Sequence, residues 1–144
     1  MNPKELNGDG EDAYSSVSSD GTLYFTSNRS GGLGGYDLYR SKLIDGKYTI
    51  PENLGDKINT SGDDYPSYID PNGRFIVFCK GYKMFISYDK NGNWTEATGI
   101  ALKENPSELL EGQAPYISPN QKYLFFEGQG DFYQVDLDET NIEH

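Results

Sequence analysis

The feature that most constrains this chain is a turn-and-strand unit that recurs three times. Ser18-Ser19-Asp20-Gly21-Thr22-Leu23-Tyr24-Phe25 returns as Asp70-Pro71-Asn72-Gly73-Arg74-Phe75-Ile76-Val77-Phe78, and again as Ser118-Pro119-Asn120-Gln121-Lys122-Tyr123-Leu124-Phe125-Phe126. The closing residues Phe25, Phe78 and Phe126 stand 53 and 48 positions apart. Ahead of each turn lies a strand-like run: Tyr14-Ser15-Ser16-Val17, Pro66-Ser67-Tyr68-Ile69 and Ala114-Pro115-Tyr116-Ile117. Behind each lies another, containing Tyr39, Phe85 and Tyr133 at spacings of 46 and 48. A fourth run appears twice, from Tyr48 to Leu54 and from Trp94 to Ile100, with both landmarks 46 apart. Landmarks that share one period define a structural repeat.

The local chemistry assigns hairpins to these turns. Pro71 presets φ for the second position of a type I turn, and Gly73 supplies the left-handed residue that follows it. In the third copy Gln121 occupies the glycine position. A left-handed non-glycine residue costs about 1 kcal/mol, so the sequence predicts that Gln121→Gly stabilises. Four short strands in roughly 50 residues describe a β-propeller blade, whose two faces are buried only by stacking on neighbours. The expected fold is all-β: four-stranded antiparallel sheets forming about three blades of a partial propeller. One domain covers 1–144, with blades at 11–54, 63–100 and 111–137. Residues 1–6 align with the end of a fourth strand and read as the tail of a preceding or partner blade.

Composition agrees with this reading. Aromatic residues reach 14% and glycines number 17, a mixture suited to short strands and tight turns. The formal net charge is -11, and no basic cluster offers a phosphate backbone a landing site, so nucleic acid is excluded as a partner. The single cysteine, Cys79, sits within Phe75-Ile76-Val77-Phe78-Cys79 and reads as a buried structural thiol. No run is long and apolar enough to span a bilayer, and Met1 to Glu5 carries no apolar export signal. An export address would have to come from a longer precursor.

Residues 19–39 carry a resemblance. The sequence Ser-Asp-Gly, then Leu-Tyr-Phe-Thr-Ser-Asn-Arg, two Gly-Gly pairs and Tyr-Asp-Leu-Tyr resembles the TolB-type, WD40-like β-propeller repeat, and Pro51-Glu52-Asn53-Leu54-Gly55 with Ile58-Asn59-Thr60 continues it. The likeness is fullest in the first repeat, and the third lacks the Asn-Arg and Gly-Gly elements. It implies a periplasmic or extracellular protein of the bacterial cell envelope.

Two groups of residues are candidate sites. The long loop Asn28 to Tyr36 precedes the third strand of the first repeat, and Arg29, Tyr36 and Asp37 are its candidate ligand contacts. The competing expectation, which the resemblance implies, makes Arg29 and Asp37 blade-internal partners that fix the loop. The loop lacks the Lys-Ser/Thr of a phosphate loop. Glu11, Asp12, Asp63, Asp64 and Glu111 all precede an innermost strand, where carboxylates at a channel mouth could hold Ca²⁺ or a basic peptide. Alternatively they accept hydrogen bonds from loop amides.

Catalysis finds little support. The only histidine is the last residue, His144, and three arginines (Arg29, Arg40 and Arg74) fall at unlike repeat positions. Ser–His–Asp and Cys–His arrangements are thereby excluded. No metal centre is expected, for want of nitrogen and sulfur ligands. The chain therefore reads as a non-catalytic interaction module that binds a protein or glycan through one propeller face. The alternative is a fragment of a carbohydrate-active, sialidase-like propeller whose catalytic groups lie elsewhere. Three blades cannot close a ring, so the expectations are further blades in a longer chain, a homodimer completing a six-bladed ring, or an open three-blade arc.

Overall fold

The computed structural model describes residues 4–144, with the side chains of all of them except Pro66 and Ser67. Fourteen strands and one short 3₁₀ helix make up the regular structure among the described residues. The first sheet contains β1 (Asp12–Val17), β2 (Leu23–Ser27), β3 (Asp37–Ser41) and β6 (Glu52–Asn53), in that order and antiparallel. A small hairpin of β4 (Leu43–Ile44) and β5 (Lys47–Tyr48) is inserted before β6. The second sheet runs β7 (Asp64–Ile69), β8 (Phe75–Lys80), β9 (Lys83–Lys90) and β10 (Asn93–Trp94), and β11 (Thr98–Gly99) also pairs with β9. The third holds β12 (Gln113–Ile117), β13 (Tyr123–Gly128) and β14 (Asp131–Asp136). The molecule is all-β and its sheets follow the period read from the sequence.

Burial is explained by the pleat of β8. Successive side chains on a strand point to opposite faces. Ile76 and Phe78 join Tyr24, Leu38, Leu54, Ile58 and Trp94 in a core between the first and second sheets. Phe75, Val77 and Cys79 join Ile117, Leu124, Phe126 and Leu137 in a core on the other side, against the third sheet. The second sheet is thus covered on both faces, which is why its central strand reads Phe-Ile-Val-Phe-Cys without a polar break. Each such side chain contributes roughly 1.5–3 kcal/mol on burial.

The turns follow the predicted backbone chemistry. Gly21, Gly73 and Gln121 have φ of 84°, 70° and 55°, so Gln121 does occupy the left-handed position. Its side chain, however, bridges to the neighbouring sheet: Nε2 donates to Asp70 Oδ1 at 3.1 Å, and Oε1 accepts from Arg74 at 3.1 Å. Glycine would relieve about 1 kcal/mol of backbone cost and forfeit two hydrogen bonds of about the same combined worth. The expectation of stabilisation is therefore revised: Gln121→Gly should leave the melting temperature close to that of the parent in a thermal denaturation.

The inner strands share a second device. β1, β7 and β12 each change register against their neighbour, between Ala13 and Ser16, Pro66 and Tyr68, and Gln113 and Tyr116. Tyr14 and Ala114 take φ of 50° and 48° at these bulges. The equivalent residue in β7 is Pro66, whose ring forbids positive φ, and there pairing continues one residue further, to Pro66↔Phe78.

The expected fourth strand is less regular than the spacing implied. Residues 48–54 divide between β5 and β6, and residues 94–100 between β10 and β11. Two residues at the first break have a simple cause: Pro51 has no N–H to give a ladder, and Ser41 Oγ takes up the Thr49 carbonyl. At the second, Ser87 Oγ donates to the Thr95 carbonyl at 2.7 Å and Tyr88 N–H to Thr95 Oγ1 at 3.0 Å. Lys4 to Leu6 form a turn and not the strand their alignment with Glu52–Asn53 predicts; residues 1–3 of that segment lie outside the described residues.

β14 has no fourth strand among the described residues. The chain instead leaves β14 through the 3₁₀ helix Leu137–Glu139 and straps the second sheet. Lys103 and Asn141 N–H groups donate to the carbonyls of Glu139 and Ala101 at 2.7 and 3.1 Å, and Ile142 is buried in the second core.

Candidate functional site

The Asn28–Tyr36 loop is held from both sides. Arg29 donates to Asp12 Oδ1 at 2.7 Å, to the Leu6 carbonyl at 2.7 Å and to Ser27 Oγ at 2.9 Å. Its guanidinium lies 5.1 Å from the ring centres of both Phe25 and Tyr39. Asp37 is buried and accepts from the N–H groups of Leu33 and Gly34 and from Asn53 Nδ2. Arg29 and Asp37 each anchor the loop, but through different partners and not through each other. The glycines have a packing reason. A Cβ on Gly34 would lie 2.5 Å from the Thr60 carbonyl oxygen and closer still to that of Gly62, and one on Gly35 would strike Asp63 Oδ1. The loop is a wedge against the segment 60–63.

The five sequence-selected carboxylates do not share one centre. Glu11 accepts from the Tyr36 hydroxyl at 2.6 Å, and this bond, reinforced by desolvation, pushes the Tyr36 phenol up to about 12. Asp63 accepts from the Tyr36 N–H at 3.0 Å. Asp12 is taken by Arg29. Asp64 is fully buried and accepts from the Thr60 N–H and hydroxyl; burial raises its carboxyl above the ordinary range despite those bonds. Glu111 lies apart, where its backbone bridges Lys83. Among the described residues no three His, Cys, Asp or Glu side chains converge as a metal would require.

What the bulged inner strands do create is a cleft. Tyr14, Tyr65 and Tyr82, with Asp63, Gln113 and Glu127, line a cavity of about 750 Å³ where β1, β7 and β12 approach one another. Tyr14 and Tyr65 meet edge to face at 5.3 Å, and Tyr36 packs on Tyr65 at 5.9 Å. Tyr14 and Tyr82 remain 66% and 68% exposed, so apolar ring surface and hydroxyls face the opening together. Among the described residues no lysine or arginine lines it. Of the sequence-selected residues only Asp63 reaches this cavity. The signal for the others lay in the repeat itself: Tyr14 sits at the left-handed bulge position, and Tyr82 follows Gly81 in the two-residue β8–β9 turn, where a large aromatic has no core to fill.

The cleft thus presents exposed tyrosine rings and hydroxyls beside the side chains of Asp63 and Glu127. No family model, curated protein or solved structure matches the chain. Among the described residues no helix is long and apolar enough to cross a membrane.

Proposed function

We propose that the chain is an interaction module built from β-propeller blades of the TolB-type, WD40-like kind, acting without catalysis in the cell envelope and binding a protein or glycan through the tyrosine-lined cleft. The observation that carries the reading is the cleft at the meeting of the three inner strands, with Tyr14, Tyr65 and Tyr82 on its walls. Tyrosine supplies broad apolar area at low entropic cost together with a hydroxyl, the combination favoured in protein and sugar recognition. The stacking of three sheets supports the blade assignment, since each sheet meets its neighbour through the same repeat positions. β14 is an edge strand among the described residues, where a further blade or a second copy would pair, and Phe132 on its face is 86% exposed.

The test is a titration of the chain with basic peptides and with neutral oligosaccharides, followed by backbone amide shifts. Perturbation should centre on residues 14, 65, 82 and 113–114. Tyr82→Ala, at an exposed position, should weaken binding about tenfold with an unchanged melting temperature. Shifts confined to another surface, or turnover of a glycoside by the chain, would replace this reading.

A further inference from the structure

Each of the three sheets carries the same cross-strand aromatic pair, stacked between its second and third strands. Phe25 opposes Tyr39, Phe78 opposes Phe85 and Phe126 opposes Tyr133. The ring centres lie 6.0, 6.2 and 5.4 Å apart, with interplanar angles of 23°, 29° and 12°. In the first two sheets the protein places its own cation over both rings. Arg29 lies 5.1 Å from Phe25 and from Tyr39, and Lys80 lies 5.4 and 5.1 Å from Phe78 and Phe85.

The third pair has no such cover among the described residues. Lys80 stands two positions after Phe78, and the residue two positions after Phe126 is Gly128. A Cβ there would come 3.2 Å from the Tyr133 ring, so glycine leaves the approach to that ring clear. The exposure follows: Tyr39 is 5% exposed and Tyr133 is 42% exposed. A cavity of about 670 Å³ opens at this place, lined by Phe126, Gly128, Tyr133, Glu104, Glu108 and Glu111. Lys83 also borders the cavity but stands over neither ring, and neither Glu104 nor Glu111 forms an ion pair with another described residue. The exposed Tyr133 ring, stacked on the buried Phe126 and bordered by three glutamates, attracts a cation on two counts, through the ring quadrupole and through Coulomb attraction.

We propose that the third sheet holds an open cation subsite, in which the Phe126–Tyr133 pair and the adjoining glutamates receive an arginine or lysine side chain of a basic partner protein. The partner supplies in trans what Arg29 and Lys80 supply in cis. This subsite stands on residues separate from the tyrosine cleft, so either can fail without the other.

Calorimetric titration of the chain with the pentapeptide Gly-Gly-Arg-Gly-Gly, and with the same peptide carrying citrulline for arginine, tests the assignment. The arginine peptide should bind saturably and the neutral one at least about tenfold more weakly. Tyr133→Leu should weaken the arginine peptide by a similar factor, whereas Tyr133→Phe retains binding because Phe85 serves in the second sheet. Gly128→Lys should abolish binding by placing an internal cation over the pair. Tyr133→Leu, at a half-exposed position, keeps the test open if the lysine variant does not fold. Equal affinity for the arginine and citrulline peptides, binding unaffected by Tyr133→Leu, or no saturable binding of the arginine peptide would overturn the proposal. Free methylguanidinium binding as tightly as the peptide would overturn the assignment to a protein side chain.

Discussion

Gly34→Ala should destabilise the chain by about 3 kcal/mol, at the upper end of what one added methyl group costs in a packed site. The added Cβ would meet backbone, 2.5 Å from the Thr60 carbonyl oxygen and 2.9 Å from the Ser61 carbonyl carbon. Flexible side chains can turn away, but peptide groups move only with the segment that carries them. That segment is itself tied down: the Gly35 N–H donates to the Gly62 carbonyl at 3.1 Å and the Asp64 N–H to the Tyr36 carbonyl at 2.8 Å. Relief at Gly34 therefore strains two links between the first and second sheets. The measurement is a thermal melt, with a fall of roughly 6–12 °C for a domain of this size. Gly62→Ala is the control on the opposite side of the same contact. Its Cβ would meet only Thr60 Oγ1, at an ordinary 3.6 Å. Equal losses at the two positions would refute the wedge and point to loop entropy instead.

Asn59→Ala should cost about 3 kcal/mol, through hydrogen bonds that no other group can replace. Asn59 is 3% exposed and faces Leu38, which is fully buried. Its Oδ1 accepts from the Leu38 N–H at 2.7 Å while its Nδ2 donates to the Leu38 carbonyl at 3.0 Å and to Asn53 Oδ1 at 2.8 Å. Alanine leaves the buried Leu38 N–H without this partner, at about 1–3 kcal/mol, and takes one bond each from the Leu38 carbonyl and Asn53 Oδ1, which keep the Leu54 and Gly55 N–H groups. Asn59→Asp should be nearly as damaging, because a carboxylate cannot donate to either acceptor. Urea denaturation measures the loss, and hydrogen exchange at the Leu38 amide locates it. Slow exchange at that amide in the alanine variant would show that the bond is not what protects it.

These two positions show how much of the molecule was legible beforehand. Asn59 belonged to the Ile58-Asn59-Thr60 motif and so was visible as part of a pattern, but its partners were not. Leu38 lies 21 positions earlier, and no local rule names it. Residues 28–36 were legible as a long glycine-rich loop, but what that loop packs against was not. In the folded chain Gly34 and Gly35 admit the close approach of the segment 60–63, and Gly34 does so without positive φ. Asp70 makes the same point for charge. Its turn was readable from Pro71 and Gly73, whereas the two-pronged grip of Arg74, at 2.8 Å to each carboxylate oxygen, required the fold. Burial works against that charged carboxyl, yet the Arg74 bonds and charge outweigh it and hold Asp70 below its usual range.

The repeat that first constrained the chain did determine its all-β character, the three hairpin turns and the order of the principal strands. Those properties depend on neighbours in sequence: positive φ at a turn, alternation of side chains along a strand, and a period shared by landmarks of one type. Tertiary structure decided how far equivalent aromatics are covered: Tyr39 is 5% exposed and Tyr133 42%. Phe25, Phe78 and Phe126 are all buried, but Arg29 and Lys80 lie over the first two pairs and Gly128 leaves Tyr133 of the third exposed. It also drew Tyr14 of β1, Tyr65 of β7 and Tyr82 of the β8–β9 turn to one cleft. A repeat specifies the faces that stack; what remains open depends on side chains that reach across from elsewhere, and a local pattern carries no record of their reach.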